Sequence, residues 1–344
     1  MPATMTSTPS AEQFHGCLLG LALGDALGAP VEAFPPAIAH AYSEALSESA
    51  FPAPGPGGWV FGQVTDDTQL SRELFQSIAE LGRFEPQAFA ERLLALVVSG
   101  RLIGGGPATV GAARQLALGH PWHQCGMPSP YAGNGAAMRA GPLGLVYRHD
   151  PRRLTRVAVD QARVTHHDSR AIAGAVAVAW AVAIASRREA IVPGEFLGEI
   201  ALEVEPLDRG MAATIRSLAD WIHLHPATAA GAPEWQALEP ESAAGWQGIS
   251  SYVVSSVCWS LYAFLKHPDR WWEAVRVAIA VGGDTDTIAS MTGAMCGARL
   301  GAGVLPRLHL SRIADAGQGL ADDLRELSAR LHRIARDGET PEPA

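Results

Sequence analysis

Apolar side chains recur every three or four positions along most of the chain, which is the pattern of amphipathic α-helices. The first such segment runs from about Ala11 to Leu27 and places Phe14, Leu18 and Leu21 on one face. No stretch of any length alternates between apolar and polar residues, so the pattern predicts an all-α fold. We predict further helices at residues 67 or 68 to 81, 86–98, 107 onward, 171–185, 211–223, 252–265, 271–280, 288–298 and 320–336.

No break in composition separates two halves of the chain, and 344 residues suffice for one large domain. We therefore expect one compact helical bundle from residue 11 to residue 336, with flexible polar tails at 1–10 and 337–344. The alanine-rich run at 171–185 is shorter than the ~20 residues that a bilayer crossing needs, and Arg170 and Arg187 flank it. It predicts a buried central helix, and no membrane association is expected.

Charge and cysteine content narrow the classes of partner and compartment. Lys plus Arg is 26 against 35 for Asp plus Glu, a net charge of -9, which disfavours general nucleic-acid binding. The four cysteines, at positions 17, 125, 258 and 296, form no C-x-x-C pair, so neither a zinc site nor a disulfide framework is indicated. The first ten residues do not resemble the start of a secretory signal. We expect a cytoplasmic monomer.

Two Thr/Asp clusters carry the candidate chemistry. Residues 281–290 read VGGDTDTIAS, and residues 65–68 read TDDT; each cluster follows a glycine-rich loop and precedes a helical pattern. Asp and Thr at a helix start are common N-caps, which is the simpler interpretation of either cluster alone. Two such clusters could instead converge on hard metal ions, which prefer several oxygen ligands.

Three further motifs each allow two interpretations. Gly104 to Pro107 form either an ordinary loop or a phosphate site at a helix start. Asn134 between two glycines marks either a plain turn or a close approach of a ligand to the backbone. His166 precedes a good N-cap, Asp168 or Ser169, and a structural histidine is favoured over a metal ligand.

These motifs occur in the order found in ADP-ribosylglycohydrolases, which the chain resembles over roughly residues 11 to 310. The motifs that carry the resemblance lie at residues 20–32 (GLALGDALGAPVE), 65–68 (TDDT), 133–139 (GNGAAMR), 165–166 (TH) and 283–287 (GDTDT). Proteins of this family are all-α, with helices in an orthogonal bundle, and bind two Mg²⁺ ions or sometimes Mn²⁺. They release ADP-ribose from a modified protein, commonly at arginine or serine, or from related small-molecule conjugates.

The resemblance also implies roles for individual residues. Glu32 matches a glutamate near the metals. The positions that match the metal ligands are Thr65, Asp66, Asp67, Asp284, Asp286 and Thr287. The positions that match the ADP-ribose cleft are Gly133, Asn134, Gly135, His166 and, more weakly, Tyr252, because the residues 249–251 before it depart from the family pattern.

Cleavage of the glycosidic bond at ribose C1 passes through an oxocarbenium-like state and needs a proton-transfer group. Metal ions would bind the vicinal ribose hydroxyls and acidify a water. Glu32, Asp66, Asp67, Asp284 and Asp286 are therefore the candidate catalytic residues, with Glu32 or one of the aspartates as base.

Four questions stay open at this stage. We expect Asp25 to hold helix ends rather than metal, while Arg139 could pair with a carboxylate or contact a phosphate. Tyr131 and Ala132, ahead of the Gly-Asn-Gly motif, slightly weaken an arginine-specific prediction. We expect the loops at 35–62 and 226–248 to choose the substrate. The alternatives in function are a two-metal phosphohydrolase and a catalytically silent ADP-ribose-binding or toxin-neutralising relative.

Overall fold

The computed structural model of the chain describes residues 8–187, 190–232, 237–240 and 245–338. Over these residues the fold is helical, as predicted. The only strands among them are two residues long each, Ala314–Asp315 and Gln318–Gly319, and they pair as an antiparallel hairpin. The α-helices, numbered α1 to α16, are Ala11–Gly28, Pro36–Ala45, Asp66–Leu81, Pro86–Val98, Pro107–Ala117, Leu143–Val146, Pro151–Arg163, Ser169–Ala185, Pro193–Val204, Arg209–Ser217, Pro226–Ala230, Val253–Lys266, Trp271–Ala280, Thr285–Leu300, Arg307–Leu310 and Ala321–Asp337.

Most predicted helices are present within one or two residues of their expected ends. The helix predicted at 211–223 is shorter, because α10 ends at Ser217 and continues as a 3-10 turn, Leu218–Asp220. The helices α2, α7 and α9 and the short helices α6, α11 and α15 were not predicted, and α2 and α11 lie in the segments 35–62 and 226–248 that were expected to be loops. The prediction of one domain over 11–336 stays a prediction, and so do the flexible tails, of which residues 1–7 and 339–344 lie outside the described residues.

Local sequence explains most of the helix starts. Side chains of Thr65, Asp150, Asp168 and Asp208 accept hydrogen bonds from backbone N–H groups in the first turns of α3, α7, α8 and α10. Six helices begin with a proline in the first turn, where no backbone donor is needed. Near the site, α3 is therefore fixed at its start by Thr65, and α5 begins with Pro107.

Helices α1 and α14 approach each other through facing small residues. A Cβ atom added to Gly20 would lie 2.4 Å from the carbonyl oxygen of Gly293, and one added to Gly24 would lie 2.2 Å from that of Ala289. At the end of α1, a Cβ on Gly28 would lie 2.5 Å from the Cα of Asp286. Because these glycines carry no side chain, the last turn of α1 packs directly against the first turn of α14.

The remaining helices surround this pair. Helix α8 is buried from Ala171 to Ala185, as predicted for the alanine-rich run, and packs against α7, α9, α12 and α14. Helix α13 packs on α14 and α2, and α16 crosses α1 and α3. The four cysteines are free and buried.

One segment has the length and hydropathy of a membrane span. It is Ala11–Val31, and 94% of its most apolar window is buried inside the protein. Its apolar character matches its position in the core between α14 and α16.

The close approach of α1 and α14 predicts unequal effects for the same substitution at two glycines. Gly20→Ala is expected to lower the free energy of unfolding by about 1–3 kcal/mol, because its methyl group would overlap the backbone of α14. Gly198→Ala in α9 is the control, since a Cβ there meets nothing within 4 Å. It is expected to raise the free energy by about 0.5–1 kcal/mol. Urea unfolding measures both, and equal effects would contradict this packing.

Candidate active site

The two acidic clusters, far apart in the sequence, meet at the starts of two helices. Thr65 is the N-cap of α3 and Asp284 the N-cap of α14. The hydroxyl of Thr287 donates a hydrogen bond to Asp67 Oδ2 over 3.1 Å, across 220 positions of sequence. The first turns of α3 and α14 are therefore joined directly, as the convergence hypothesis requires.

Asp25, in the last turns of α1, fixes the position of α3. Its carboxylate accepts hydrogen bonds from the backbone N–H of Thr65 at 3.0 Å and of Thr68 at 3.1 Å. It also accepts from both threonine hydroxyls. Its oxygens are thus occupied in capping α3, which agrees with the structural role expected for this residue.

Glu32, Asp284 and Asp286 form the tightest group of carboxylates. One oxygen from each lies within 4.8 Å of the other two. Asp284 accepts a hydrogen bond from the side-chain amide of Asn134, and Asp286 accepts one from the backbone N–H of Thr287 at 2.8 Å. Asp66 lines the same cavity.

The backbone around Gly283 brings the parts of this group together. Gly283 has φ +81°, a conformation that favours glycine, and a Cβ there would lie 2.0 Å from the carbonyl oxygen of Ile249. Its carbonyl accepts from the N–H of Ala33 at 2.8 Å, and the N–H of Asp284 donates to the carbonyl of Ile249 at 2.8 Å. The loop that carries Asp284 is thus clamped between the Glu32 loop and the segment before α12.

Burial and the charges of neighbouring carboxylates together raise the pKa values of these groups. The pKa of Glu32 rises to about 9, chiefly through the charge of Asp286 and then through burial. Burial first, and then Asp286, raises the pKa of Asp66 to about 8. The pKa values of Asp67, Asp284 and Asp286 are also raised, each mainly by burial.

The donor set fits a hard divalent cation. It consists of carboxylate and hydroxyl oxygens with no sulfur or imidazole among them, which is the chemistry that Mg²⁺ and Mn²⁺ prefer. Within the described part of the chain, Asp67 Oδ1 is buried without a hydrogen-bond partner. Such an atom is costly unless something binds it, so the residues present fit a bound cation.

The carboxylates form one end of a cavity of about 180 Å³. The N-terminus of α5, from Gly104 to Thr109, forms another part of its wall. Gly133, Gly135 and His166 lie together, because a Cβ on Gly133 would be only 3.4 Å from His166 Nε2. The loop at 104–107 therefore borders the site, although the sequence motif alone favoured an ordinary loop.

The predicted site residues divide into two groups by their access to the cavity. The residues that line it are Glu32, Asp66, Gly133, Asn134, Gly135, His166, Asp284, Asp286 and Thr287. Thr65 and Asp67 lie behind them, where they hydrogen-bond to Asp25 and Thr287. Tyr252 is also absent from the lining; its ring lies beneath Arg170, 5.6 Å from the guanidinium carbon, and its hydroxyl accepts from Arg170.

Arg139 has neither of the partners considered from sequence. Its guanidinium is buried beneath the Gly-Asn-Gly loop, stacks on Phe89, and donates to Gln161, Thr165 and the Gly135 carbonyl. Because the Arg139 guanidinium is fully buried and hydrogen-bonded to groups of the protein, it is not positioned to contact a phosphate in the cleft.

Sequence reasoning did not single out Trp246, Ser251 or Thr109, which also line the cavity. Ser251 lies one position before Tyr252, in the segment where the chain departs from the family pattern. Ser250 donates its hydroxyl to Glu239, which holds this segment in place. No local pattern marks these residues, because only the tertiary fold brings them to the cleft.

Comparison with known proteins identifies the family. A family model described as ADP-ribosylglycohydrolase matches residues 6–340. The chain belongs to the ADP-ribosylglycohydrolase family. This confirms the predicted resemblance and makes the chain an enzyme that hydrolyses ADP-ribosyl linkages. Members of the family are in general metal-dependent.

Individual relatives agree with this membership. A protein of Archaeoglobus fulgidus without an assigned function is 36% identical over 328 residues, which are 94% of this chain and 99% of that protein. The ADP-ribosyl-dinitrogen reductase glycohydrolase of Rhodospirillum rubrum is 28% identical over 318 residues, 90% of this chain and 92% of its own length. A solved structure, an ADP-ribosylglycohydrolase-related protein complex, matches with a TM-score of 0.68 and 29% identity, covering 94% of this chain and 98% of that one.

The raised pKa values predict how stability depends on pH without a divalent cation. Glu32 and Asp66 keep their protons in the folded protein up to pH values near 9 and 8, whereas the unfolded chain releases them near its ordinary values of 4.5 and 3.8. The native state then binds more protons, so its stability falls as pH rises between these limits. Chelator-treated protein should show a falling melting temperature from pH 5 to pH 8.5, and saturating Mg²⁺ should reduce that slope.

A matched pair of variants tests whether buried acids cause the fall of melting temperature with pH. Asp66→Asn removes one buried acid and should flatten the dependence, whereas Asp322→Asn, at a side chain 96% exposed, should leave it as in the wild type. A melting temperature that rises over this range in chelator would contradict the proposed crowding of acids.

Proposed function

We propose that this enzyme is a magnesium-dependent hydrolase that cleaves the bond between ribose C1 of ADP-ribose and a modified protein side chain, releasing free ADP-ribose. The observation that carries the proposal is the convergence of Glu32, Asp284 and Asp286, with oxygens within 4.8 Å of one another, at one end of a cleft. The other walls of that cleft are rich in backbone groups.

The proposed resident ions are two Mg²⁺, with Mn²⁺ as the alternative. The residues that would hold them are Thr65, Asp66, Asp67, Asp284, Asp286 and Thr287. Divalent cations supply charge that stabilises oxygen anions, bind vicinal hydroxyls and acidify water. The unpartnered Oδ1 of Asp67 and the raised pKa values of the surrounding acids support this assignment.

The α5 N-terminus suits the diphosphate of ADP-ribose. Helix α5 has 11 residues and begins after Gly106, and Pro107 leaves the N–H groups of Ala108 and Thr109 as the first available donors. Such donors, together with the helix dipole, favour negative charge. Gly104 has φ +80°, and a Cβ atom there would lie only 3.2 Å from Asp66 Oδ1. A glycine at this position therefore lets the loop before α5 lie close to the carboxylates.

Glu32 is the group that we assign to proton transfer. It lies after the 3-10 turn Ala29–Val31 rather than in the first turn of a helix, and it is one of the three clustered carboxylates. Asp284 is held by Asn134 and Asp286 by the N–H of Thr287, so those two carboxylates are fixed for binding. With divalent cations bound, Glu32 would be ionised and would take a proton from the water that adds to ribose C1. That proton would then pass to the oxygen or nitrogen of the departing side chain as the glycosidic bond breaks.

A panel of substrates identifies the amino acid that carries the ADP-ribose. Purified enzyme should be offered peptides modified at arginine and at serine, together with acetyl- and nucleobase-linked ADP-ribose. Release of ADP-ribose with an unmodified target supports the hydrolase. Release of a nucleotide with ribose phosphate left on the target would identify a phosphohydrolase, and binding without any product would identify a silent relative.

Loss of a carboxylate in the cluster should abolish the reaction. Asp284→Ala is expected to lower magnesium-dependent release of ADP-ribose by at least about 100-fold, because it removes a proposed ligand and the partner of Asn134. Asp322→Ala, the same change at an exposed aspartate, should keep wild-type turnover. Chromatographic measurement of free ADP-ribose checks both, and retained turnover in Asp284→Ala would overturn the assignment.

A further inference from the structure

The hydroxyl of Thr165 lies between a buried cation and the cleft histidine. Arg139 Nη2 donates a hydrogen bond to Thr165 Oγ1 over 2.8 Å, and the same oxygen is 2.8 Å from His166 Nδ1. Arg139 is 0% exposed and His166 is 1% exposed. All three groups are therefore removed from water and must satisfy one another.

The donors and acceptors in the hydrogen bonds that link Arg139, Thr165 and His166 determine the histidine tautomer. A guanidinium can only donate, so Thr165 Oγ1 accepts from Arg139 and has one proton of its own to give. The alternative acceptor for that proton, the Ala162 carbonyl, is 3.5 Å away and already accepts from the N–H groups of Thr165 and His166. The hydroxyl therefore donates to His166 Nδ1, and the neutral ring carries its proton on Nε2.

The Nε2 atom faces the ligand cleft. His166 lines the cavity, and the backbones of Gly133 and Gly135 lie against its ring, with Nε2 3.4 Å from the Cβ position of Gly133. A Cβ atom at Gly133 would also lie 3.0 Å from Tyr131 Cε1, so the glycine leaves room beside this edge of the ring. The protonated nitrogen is thus left pointing toward the space that a ligand would occupy.

Arg139 also keeps the ring neutral. Burial first, and then the positive charge of Arg139, lowers the pKa of His166 to about 3. The ring is therefore uncharged at neutral pH, which suits a fixed hydrogen-bond donor and not a residue that exchanges protons with substrate.

We propose that Arg139 and Thr165 are positioning residues that hold His166 as the Nε2–H tautomer, so that it donates a hydrogen bond to an oxygen of the bound ligand. The identity of that ligand, ADP-ribose, rests on the proposed function. The tautomer does not, because it follows from contacts within this chain alone.

Nitrogen-15 NMR of ring-labelled histidine reads the tautomer directly in the free protein. The His166→Gln spectrum identifies the resonances that belong to His166. In the wild type at pH 7, we expect Nε2 protonated and Nδ1 unprotonated. Thr165→Ser keeps the hydroxyl and should keep this pattern, whereas Thr165→Val removes it and should give a mixture of tautomers or protonation at Nδ1.

Calorimetry with free ADP-ribose tests the consequence for binding. Thr165→Val should raise the Kd for ADP-ribose about 3- to 10-fold, which is the effect expected from the loss of one hydrogen bond. Thr165→Ser should bind ADP-ribose as tightly as the wild type. Arg139→Met provides an independent variant, because without its donor the threonine hydroxyl can accept from Nδ1. It should therefore also give mixed tautomers.

The possible results separate this inference from the proposed function. Protonation of Nδ1 in the wild type, or an unchanged pattern in Thr165→Val, would overturn the tautomer assignment whether or not the protein hydrolyses anything. A shifted tautomer with unchanged ADP-ribose affinity would overturn the role in ligand binding. A missing hydrolase activity would count against the proposed function and would leave the NMR result intact.

Discussion

The contact between α1 and α14 is the constraint on which the rest of the site depends. The glycines of α1 let its backbone touch that of α14, which sets the end of α1, the Glu32 loop and the Asp284 motif side by side. Asp25, from the same α1, then caps α3 and brings Asp66 and Asp67 to the same place. The contact between these two helices thus sets the relative positions of the three acidic segments.

The site collects acids that repel one another, and hydrogen bonds from several elements hold them in place. Several of these carboxylates are held by hydrogen bonds from another element: Asp284 by Asn134, and Asp67 by Thr287. A bound divalent cation would balance the resulting negative charge, so affinity for the metal and crowding of the acids would have one physical origin. Rigid placement of charge is also what electrostatic catalysis requires.

Sequence predicted the parts of the molecule that depend on local chemistry. Helix periodicity located most helices, and the N-cap residues at Thr65, Asp168 and Asp284 were recognisable from their type and position. The convergence of residues 65–68 and 281–290 came from the ordered motifs and the family resemblance, because no local pattern encodes a contact over 220 positions. The burial of Arg139 could not be predicted, since nothing in its neighbours shows that α4 and α7 enclose it.

The central claim is that these converged oxygens bind divalent cations where the glycosidic bond is cleaved. Anomalous diffraction from a crystal equilibrated with Mn²⁺ tests it most directly, because it places each ion without reference to activity. We expect anomalous peaks between the Asp66–Asp67 pair and the Asp284–Asp286 pair, within ligand distance of their carboxylate oxygens. A crystal equilibrated with saturating Mn²⁺ that shows no anomalous peak among these residues would contradict the claim.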